Sequence, residues 1–310
     1  MNLPPLKKSG QVRKPWNSRS LGNRFQHRIF YAFIRIGGQT LAYILLYIVV
    51  FYYVLLRPSV AKKTDFYLLK RFPRRRGWER FRDRYRLSLS LGKVLVDRAF
   101  IGITGPSRIK IRFEEKEKLL SLLSPEKGFI LMNAHAGGWQ VVLSAMPLFS
   151  KPVNMLLERD QQDADLHYFE HAGLSSPFRI IDPQSFLGGS LQMLDVLKRG
   201  EILCVMGDRV FGNEKSVVEI DFLGRKAFFP FIAFKIASAA EVPVVVFFSY
   251  KSGLKRYDIR VADIIHVSPD IGRSRDAFRP YVGRFVVALE SFIKDHPYDF
   301  FNFYDMWSLN

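Results

Sequence analysis

The fold of this chain is set by residues 129–140, which read Phe129-Ile130-Leu131-Met132-Asn133-Ala134-His135-Ala136-Gly137-Gly138-Trp139-Gln140. The first part is a short apolar run of strand length, bounded by glycine on both sides. The run ends in His135, and the two glycines then allow a tight turn into what reads as the start of a helix. The pattern predicts a buried strand with His135 at its carboxyl end, where open α/β sheets build their sites.

His135 has two interpretations at this point. Histidine is the side chain best suited to accept a proton near neutral pH, which favours a general base. A buried histidine that only hydrogen-bonds the backbone fits this stretch equally well.

Cysteine and histidine usage limits the other kinds of site. The single cysteine, Cys204, excludes an intramolecular disulfide and a cysteine-rich metal site and fits a reducing compartment. Cys204 lies in an apolar run, so we expect it in the core rather than acting as a nucleophile. His167 and His171 have a spacing that can bind metal on a helix, but no glutamate follows His167 in zinc-protease order. We therefore favour a solvated helix face there and predict neither a metal nor a cofactor.

Charge is unevenly distributed along the 310 residues. Residues 1–100 hold 22 Lys/Arg and 4 Asp/Glu, whereas the remainder holds 25 of each and is neutral. A basic N-terminal third on a neutral body suggests an anionic partner, such as a membrane, nucleic acid or an acidic protein. Because a nucleic-acid binder needs its basic face on the folded body, we expect a membrane and no nucleic acid.

An apolar segment of 21 residues, Ile36 to Leu56, carries no charge. As a helix it is about 31 Å long, close to the thickness of the hydrocarbon core. The run is too long for the apolar region of a signal peptide, while a buried helix of a soluble protein and a shallow, hairpin-like helix stay open. Basic residues flank the run on both sides, which weakens the positive-inside argument but suits an element whose two ends rest on an anionic leaflet.

The next segment, Arg74 to Arg86, is basic with interleaved aromatic residues. Nucleic-acid binding is one interpretation. Trp78, Phe81 and Tyr85 fall on one helical face, however, so we favour an amphipathic helix at a membrane or core boundary, continuing over 87–103.

From Ile111 onward, short apolar runs alternate with helical patterns. This alternation predicts an α/β fold, with a mixed, mostly parallel sheet flanked by helices and an N-terminal membrane helix. We divide the chain into a basic anchor, 1–100, and a catalytic domain, 101–310. The predicted strands beyond 129–134 are 153–157, 178–181, 202–206, 217–222, 227–229, 242–250 and 256–261; the predicted helices are 116–123, 163–172, 189–198, 231–240 and 276–295.

Several blocks, taken in order, resemble the lysophospholipid acyltransferase superfamily, and within it the lipid A late acyltransferases and related glycolipid acyltransferases. The similarity covers roughly Gly128 to the C-terminus. Each block is weak alone, but their order and spacing together are fairly specific. The blocks are His135 to Gln140, Leu156 to Arg159, Leu197 to Glu201 with Gly207-Asp208-Arg209 after a strand, Phe222 to Gly224, Phe229 to Phe231, Val242 to Val244, and His296 to Trp307.

The resemblance implies a membrane-associated acyltransferase of the bacterial inner membrane, with its catalytic domain on the cytoplasmic side. It would transfer a fatty acyl group from acyl-carrier protein or acyl-CoA to a hydroxyl of a lipid or glycolipid. His135 would take the hydroxyl proton, and the turn at Gly137 and Gly138 would bring N–H groups near the oxyanion. Gly137, Gly138 and Trp139 are the candidate substrate-binding residues of this turn. Arg159 and Arg209 are candidates to bind phosphate or carboxylate, or alternatively to pair with a neighbouring aspartate.

The sequence departs from the family pattern at one position. The family places a carboxylate five residues after the histidine, and Gln140 stands there. An amide can hold the imidazole in one tautomer but carries no charge to stabilise the imidazolium. Either another carboxylate, such as Asp208 or Glu158, reaches His135, or the acceptor is easier to deprotonate, or the chain is a binder with little activity. A non-catalytic membrane-tethered binder and a basic polymer-binding protein are therefore the alternative functions.

Overall fold

The computed structural model of the protein describes residues 24–114, 116–117, 126–142, 151–157, 178–185, 189–210, 216–272 and 274–308. The sequence-predicted helix at 163–172 and most of the one at 116–123 lie outside these residues. Within them, an α/β body is preceded in the chain by long helices.

The sheet has seven strands in the order β1-β9-β8-β2-β5-β3-β4. All neighbouring pairs are parallel except β8 and β9, which form an antiparallel hairpin. The predicted mixed, mostly parallel sheet is thereby confirmed. Its strands are β1 (Lys110–Phe113), β2 (Phe129–Asn133), β3 (Val153–Leu156), β4 (Arg179–Ile181), β5 (Ile202–Met206), β8 (Val244–Gly253) and β9 (Arg256–Ile265).

The central strand of the sheet, β2, follows from its composition. Every residue of β2 is buried, as expected for an apolar strand that is covered by helices on both faces of a parallel sheet.

The edge strand β1 was not predicted, because its four residues, Lys-Ile-Arg-Phe, alternate in polarity over too short a span to signal a strand.

A separate hairpin joins β6 (Val217–Phe222) to β7 (Arg225–Pro230). Leu223 and Gly224 form its two-residue turn with φ of 52° and 73°, the left-handed pair that matches the twist of two-residue hairpins. The C-terminal tail covers it, since the Trp307 ring stacks on Phe222 and the Phe228 N–H donates to the Met306 carbonyl.

Helices flank the sheet where the sequence predicts them, namely α4 (Trp139–Val142), α5 (Ser190–Lys198), α6 (Ile232–Ala240) and α7 (Arg279–Asp295). Residues 275–278 form a 3₁₀ turn rather than the first turn of α7. Pro280 then occupies the first turn of α7, where its missing N–H costs nothing.

The N-terminal helices are α1 (Arg24–Leu56), α2 (Pro58–Arg71) and α3 (Gly77–Thr104). α1 is kinked at Gly38, whose φ is 64°. One face of α1 packs against α3 through residues at helical spacing, including Ala42, Leu46 and Val50. The helices approach closely at Gly92, where a side-chain Cβ would lie 2.7 Å from Leu46 Cδ1.

A cluster of polar side chains around Asp97 connects the N-terminal helices to the sheet. Asp97 lies in α3 and is fully buried. Its carboxylate accepts hydrogen bonds from the side chains of Gln39 and Tyr43 in α1. It also lies 2.6 Å from both Lys251 Nζ in β8 and the Tyr257 hydroxyl in β9. The division of the chain at residue 100 stays a prediction, and that residue lies inside α3.

Candidate active site

His135 lies just beyond the carboxyl end of β2, in a loop that several backbone contacts hold in place. The Ala134 N–H donates to Asn133 Oδ1 over 2.6 Å, and Ala136 forms a β-bridge with Phe300 of the C-terminal tail. The His135 carbonyl accepts the Phe301 N–H at 2.6 Å. The imidazole thus projects from an ordered loop at the end of the sheet, and its side chain keeps 16% of its surface exposed.

Asp208 follows β5, the strand beside β2. Its carboxylate is fully buried, and Oδ1 accepts both the His135 backbone N–H at 3.0 Å and a hydrogen bond from His135 Nδ1 at 2.9 Å. Burial alone would raise the pKa of Asp208, but the His135 ring, Arg209 and the backbone N–H outweigh it and lower that pKa. An ionised Asp208 can only accept, so the proton of the neutral imidazole resides on Nδ1 and the Nε2 lone pair is free to act as a base.

The charge state of His135 is set by its surroundings. Burial and then the nearby Arg209 lower its pKa below the usual 6.5, against the opposing pull of Asp208. The imidazole is therefore neutral at physiological pH, which is the form that a general base needs.

The turn after His135 depends on its glycines. Gly137 has φ of 61°, and a Cβ there would lie 1.6 Å from the Ser249 carbonyl oxygen. A Cβ on Gly138 would lie 2.2 Å from Cε1 of Tyr257. The Gly137 N–H donates to the Asp299 carbonyl and the Gly138 N–H to the Ser249 carbonyl, over 2.6 and 3.1 Å. In this arrangement the two N–H groups are not available to an oxyanion, because both donate within the protein.

Residues 87–308 match the model of the family described as bacterial lipid A biosynthesis acyltransferase. The chain belongs to this family. The solved structures that match include the 1-acyl-sn-glycerophosphate (LPA) acyltransferase PlsC from Thermotoga maritima. The identity is 13% and the TM-score 0.37, over 84% of this chain and 98% of that one. A comparison with curated proteins finds no match. Membership in a lipid A biosynthesis acyltransferase family implies an acyl donor and a lipid acceptor, and it confirms the resemblance drawn from the sequence blocks.

Of the other predicted site residues, Trp139 lies beside His135, and most of the rest lie outside the described part of this family member. The Trp139 ring stands edge-on to the His135 ring, with 6.0 Å between centroids. Gln140 lies in α4, and its side chain is outside the described part of the chain, as are Arg159, Glu158, His167 and His171. Of the two carboxylates proposed to reach His135, only Asp208 lies within the described residues. Its side chain contacts the His135 ring directly.

Arg209 is buried beside this pair, with 8% of its surface exposed. Its Nη2 lies 3.4 Å from the Phe301 carbonyl, and burial lowers its pKa despite the neighbouring Asp208. This buried guanidinium is one of the two causes that lower the pKa of His135. Its predicted role in substrate binding stays a prediction.

Sequence reasoning missed the part that the C-terminal tail plays. The Tyr304 hydroxyl donates to the Asp208 carbonyl at 2.7 Å, and the backbone of 299–301 holds both His135 and Gly137. The block from His296 to Trp307 was the available signal, but it carries no pattern that pairs it with the His135 loop. Among the described residues, no group of three or more His, Cys, Asp or Glu side chains could hold a metal ion.

Proposed function

We propose that this protein is an inner-membrane acyltransferase that moves a fatty acyl group from an acyl thioester, carried by acyl-carrier protein or coenzyme A, to a hydroxyl of a lipid or glycolipid. The observation that carries the proposal is the 2.9 Å contact between His135 Nδ1 and the buried Asp208 carboxylate. This pair supplies a base and its charged partner, which the residue at position 140 cannot supply as a glutamine.

The proposed acyl transfer follows from the tautomer of His135, in which Nδ1 carries the proton and Nε2 is free to accept one. His135 Nε2 takes the proton of the acceptor hydroxyl while the hydroxyl oxygen attacks the thioester carbonyl carbon. The imidazolium that forms is stabilised by the Asp208 carboxylate 2.9 Å away. When the tetrahedral intermediate collapses, the carbon–sulfur bond breaks and the departing thiolate takes the proton from Nε2. The new ester and the free thiol leave His135 neutral again.

The outer face of α1 supports the membrane part of the proposal. By length and composition, residues 28–56 could cross a bilayer. Large apolar side chains on the face turned away from α3 are exposed, with Ile48 and Leu55 exposed by 66% and 57%. Arg57, Lys62 and Lys63 follow directly and can bind anionic headgroups, each contributing roughly 1 kcal/mol. The catalytic body would rest on the cytoplasmic surface of the inner membrane.

The experiment that tests the function compares lipids extracted from cells that carry the wild-type protein, the His135→Ala variant or no protein. We expect mass spectrometry to show one lipid species heavier by one acyl chain only with the wild-type protein. Purified protein with acyl-CoA or acyl-carrier protein then identifies the donor by release of free thiol. Equal acylation by His135→Ala, at equal protein levels in the membrane, would overturn the proposal.

A further inference from the structure

A groove of about 750 Å³ lies between the N-terminal helices and the β8–β9 hairpin. Its volume is in the range of sites for small molecules. Gly137 and Gly138, the turn directly after His135, form part of its wall. A ligand that reaches this wall therefore contacts the turn that directly follows His135.

Three cationic side chains line the groove, Arg86, Lys93 and Lys251. Lys251 forms an ion pair with Asp97, whereas Arg86 and Lys93 form no ion pair within the described part of the chain. Instead, the Arg86 guanidinium lies 5.5 Å from the centre of the Tyr298 ring and Lys93 Nζ lies 5.3 Å from that of Tyr47. Aromatic faces hold a cation without using its N–H donors, so both groups keep those donors for a ligand.

Two carboxylates also line the groove, and within the described residues neither forms an ion pair with Arg86 or Lys93. Asp295 is exposed at the end of α7. Burial raises the pKa of Asp299, whose carboxylate accepts a hydrogen bond from the Ser90 hydroxyl. Asp299 also lies 3.8 Å from His296 Nδ1, so neither carboxylate of the groove occupies the N–H donors of Arg86 and Lys93.

The rim of the groove is apolar on two sides. Tyr47 of α1 is 42% exposed and continues into the exposed apolar face of that helix. Leu254, at the tip of the β8–β9 hairpin, is 49% exposed on the opposite side. Basic side chains beside exposed apolar side chains suit an amphiphile with an anionic head.

We infer that this groove binds the phosphate of an amphiphilic substrate through Arg86 and Lys93, with the apolar part of the substrate leaving over Tyr47 and Leu254. The inference rests on the proposed function only in naming the ligand a substrate. Phosphate chemistry is shared by a phosphorylated lipid acceptor and by the donor's coenzyme A, so the test has an arm for each.

The test measures equilibrium binding to the full-length protein in detergent, with short-chain phosphatidic acid, the diacylglycerol of the same chains, and coenzyme A as probes. We expect at least one phosphate-bearing probe to bind about tenfold or more tightly than diacylglycerol, and Arg86→Gln/Lys93→Gln to remove that preference. Lys93→Arg, which keeps the charge, is expected to retain it. The double variant Arg225→Gln/Lys235→Gln, which removes two exposed cations outside the groove, serves as the matched control.

The outcomes separate cleanly. Weaker phosphatidic acid binding in the groove variant assigns the phosphate to the acceptor, and weaker coenzyme A binding assigns it to the donor. Equal binding of all three probes, or equal losses in the groove and control variants, overturns the inference. Because binding needs no turnover, we expect His135→Ala to bind the phosphate probe as the wild type does, so a failed groove and a failed acyltransferase give different results.

Discussion

His135 and Asp208 are 73 positions apart in the sequence, yet their side chains lie 2.9 Å apart. β2 and β5 are parallel neighbours in which Asn133 pairs with Met206. Each of the two residues stands two positions beyond its strand's last paired residue, so the register of the sheet brings them together. The contact is therefore a consequence of strand pairing and needs no long flexible loop.

The first prediction concerns the charge of Asp208. Asp208→Asn keeps an oxygen for the two hydrogen bonds of Oδ1 but removes the negative charge that stabilises the imidazolium. We expect kcat to fall by about 10²-fold or more. The corresponding aspartate-to-asparagine change in a serine protease lowers kcat about 10⁴-fold, chiefly by favouring the wrong imidazole tautomer. Acyl transfer by purified protein measures this, and unchanged KM and thermal unfolding separate it from a folding defect. A loss of less than threefold would show that Asp208 has no role in the chemistry.

The second prediction concerns position 140, where the family pattern has a carboxylate. Because Asp208 already occupies His135 Nδ1, we expect Gln140→Glu to change the transfer rate by less than about threefold. In an Asp208→Asn background, the same glutamate is expected to restore part of the lost rate. A large increase in the transfer rate from Gln140→Glu alone would instead indicate that the glutamine limits the activity of the wild-type site.

The sequence predicted much of this fold because most of its signals are local. The apolar strands at 129–133 and 202–206 and the helix at 190–198 each carry a complete pattern within ten residues. Contacts between distant segments carry no such pattern. Asp97 reads as one acidic residue on an amphipathic helix, and only the folded chain shows that it meets Lys251 and Tyr257. The same holds for the tail that positions the His135 loop.

The third prediction concerns pH. A general base must be neutral, so the rate should fall as pH drops through the pKa of His135, which burial and Arg209 lower below 6.5. We expect the acidic limb of kcat/KM to have its midpoint below pH 6.5. Arg209→Gln removes the second cause, and the limb should then move to higher pH. A limb that stays in place in this variant would contradict the electrostatic role assigned to Arg209.

The fourth prediction concerns the buried pair of Asp97 and Lys251. Asp97→Asn leaves the largely buried Lys251 ammonium without its counter-charge, so we expect the free energy of unfolding to fall by about 3 kcal/mol. Thermal unfolding in detergent measures the loss. The double variant Asp97→Asn/Lys251→Met should lose less than the sum of the single variants, because the charge left behind is gone. Asp270→Asn, at an exposed position, is the control and should change stability by less than about 0.5 kcal/mol.

The fifth prediction concerns the outer face of α1, which we propose faces lipid. Ile48 in α1 and Val287 in α7 are exposed almost equally, at 66% and 68%, so Ile48→Glu and Val287→Glu form a matched pair. A charged side chain near the middle of a bilayer costs about 2.5 kcal/mol or more, so Ile48→Glu should weaken sedimentation of the full chain with anionic vesicles at least about tenfold. Val287→Glu should leave sedimentation unchanged. Equal effects of the two substitutions would mean that α1 does not enter the membrane and that the basic residues around it hold the protein to the lipid surface by charge alone.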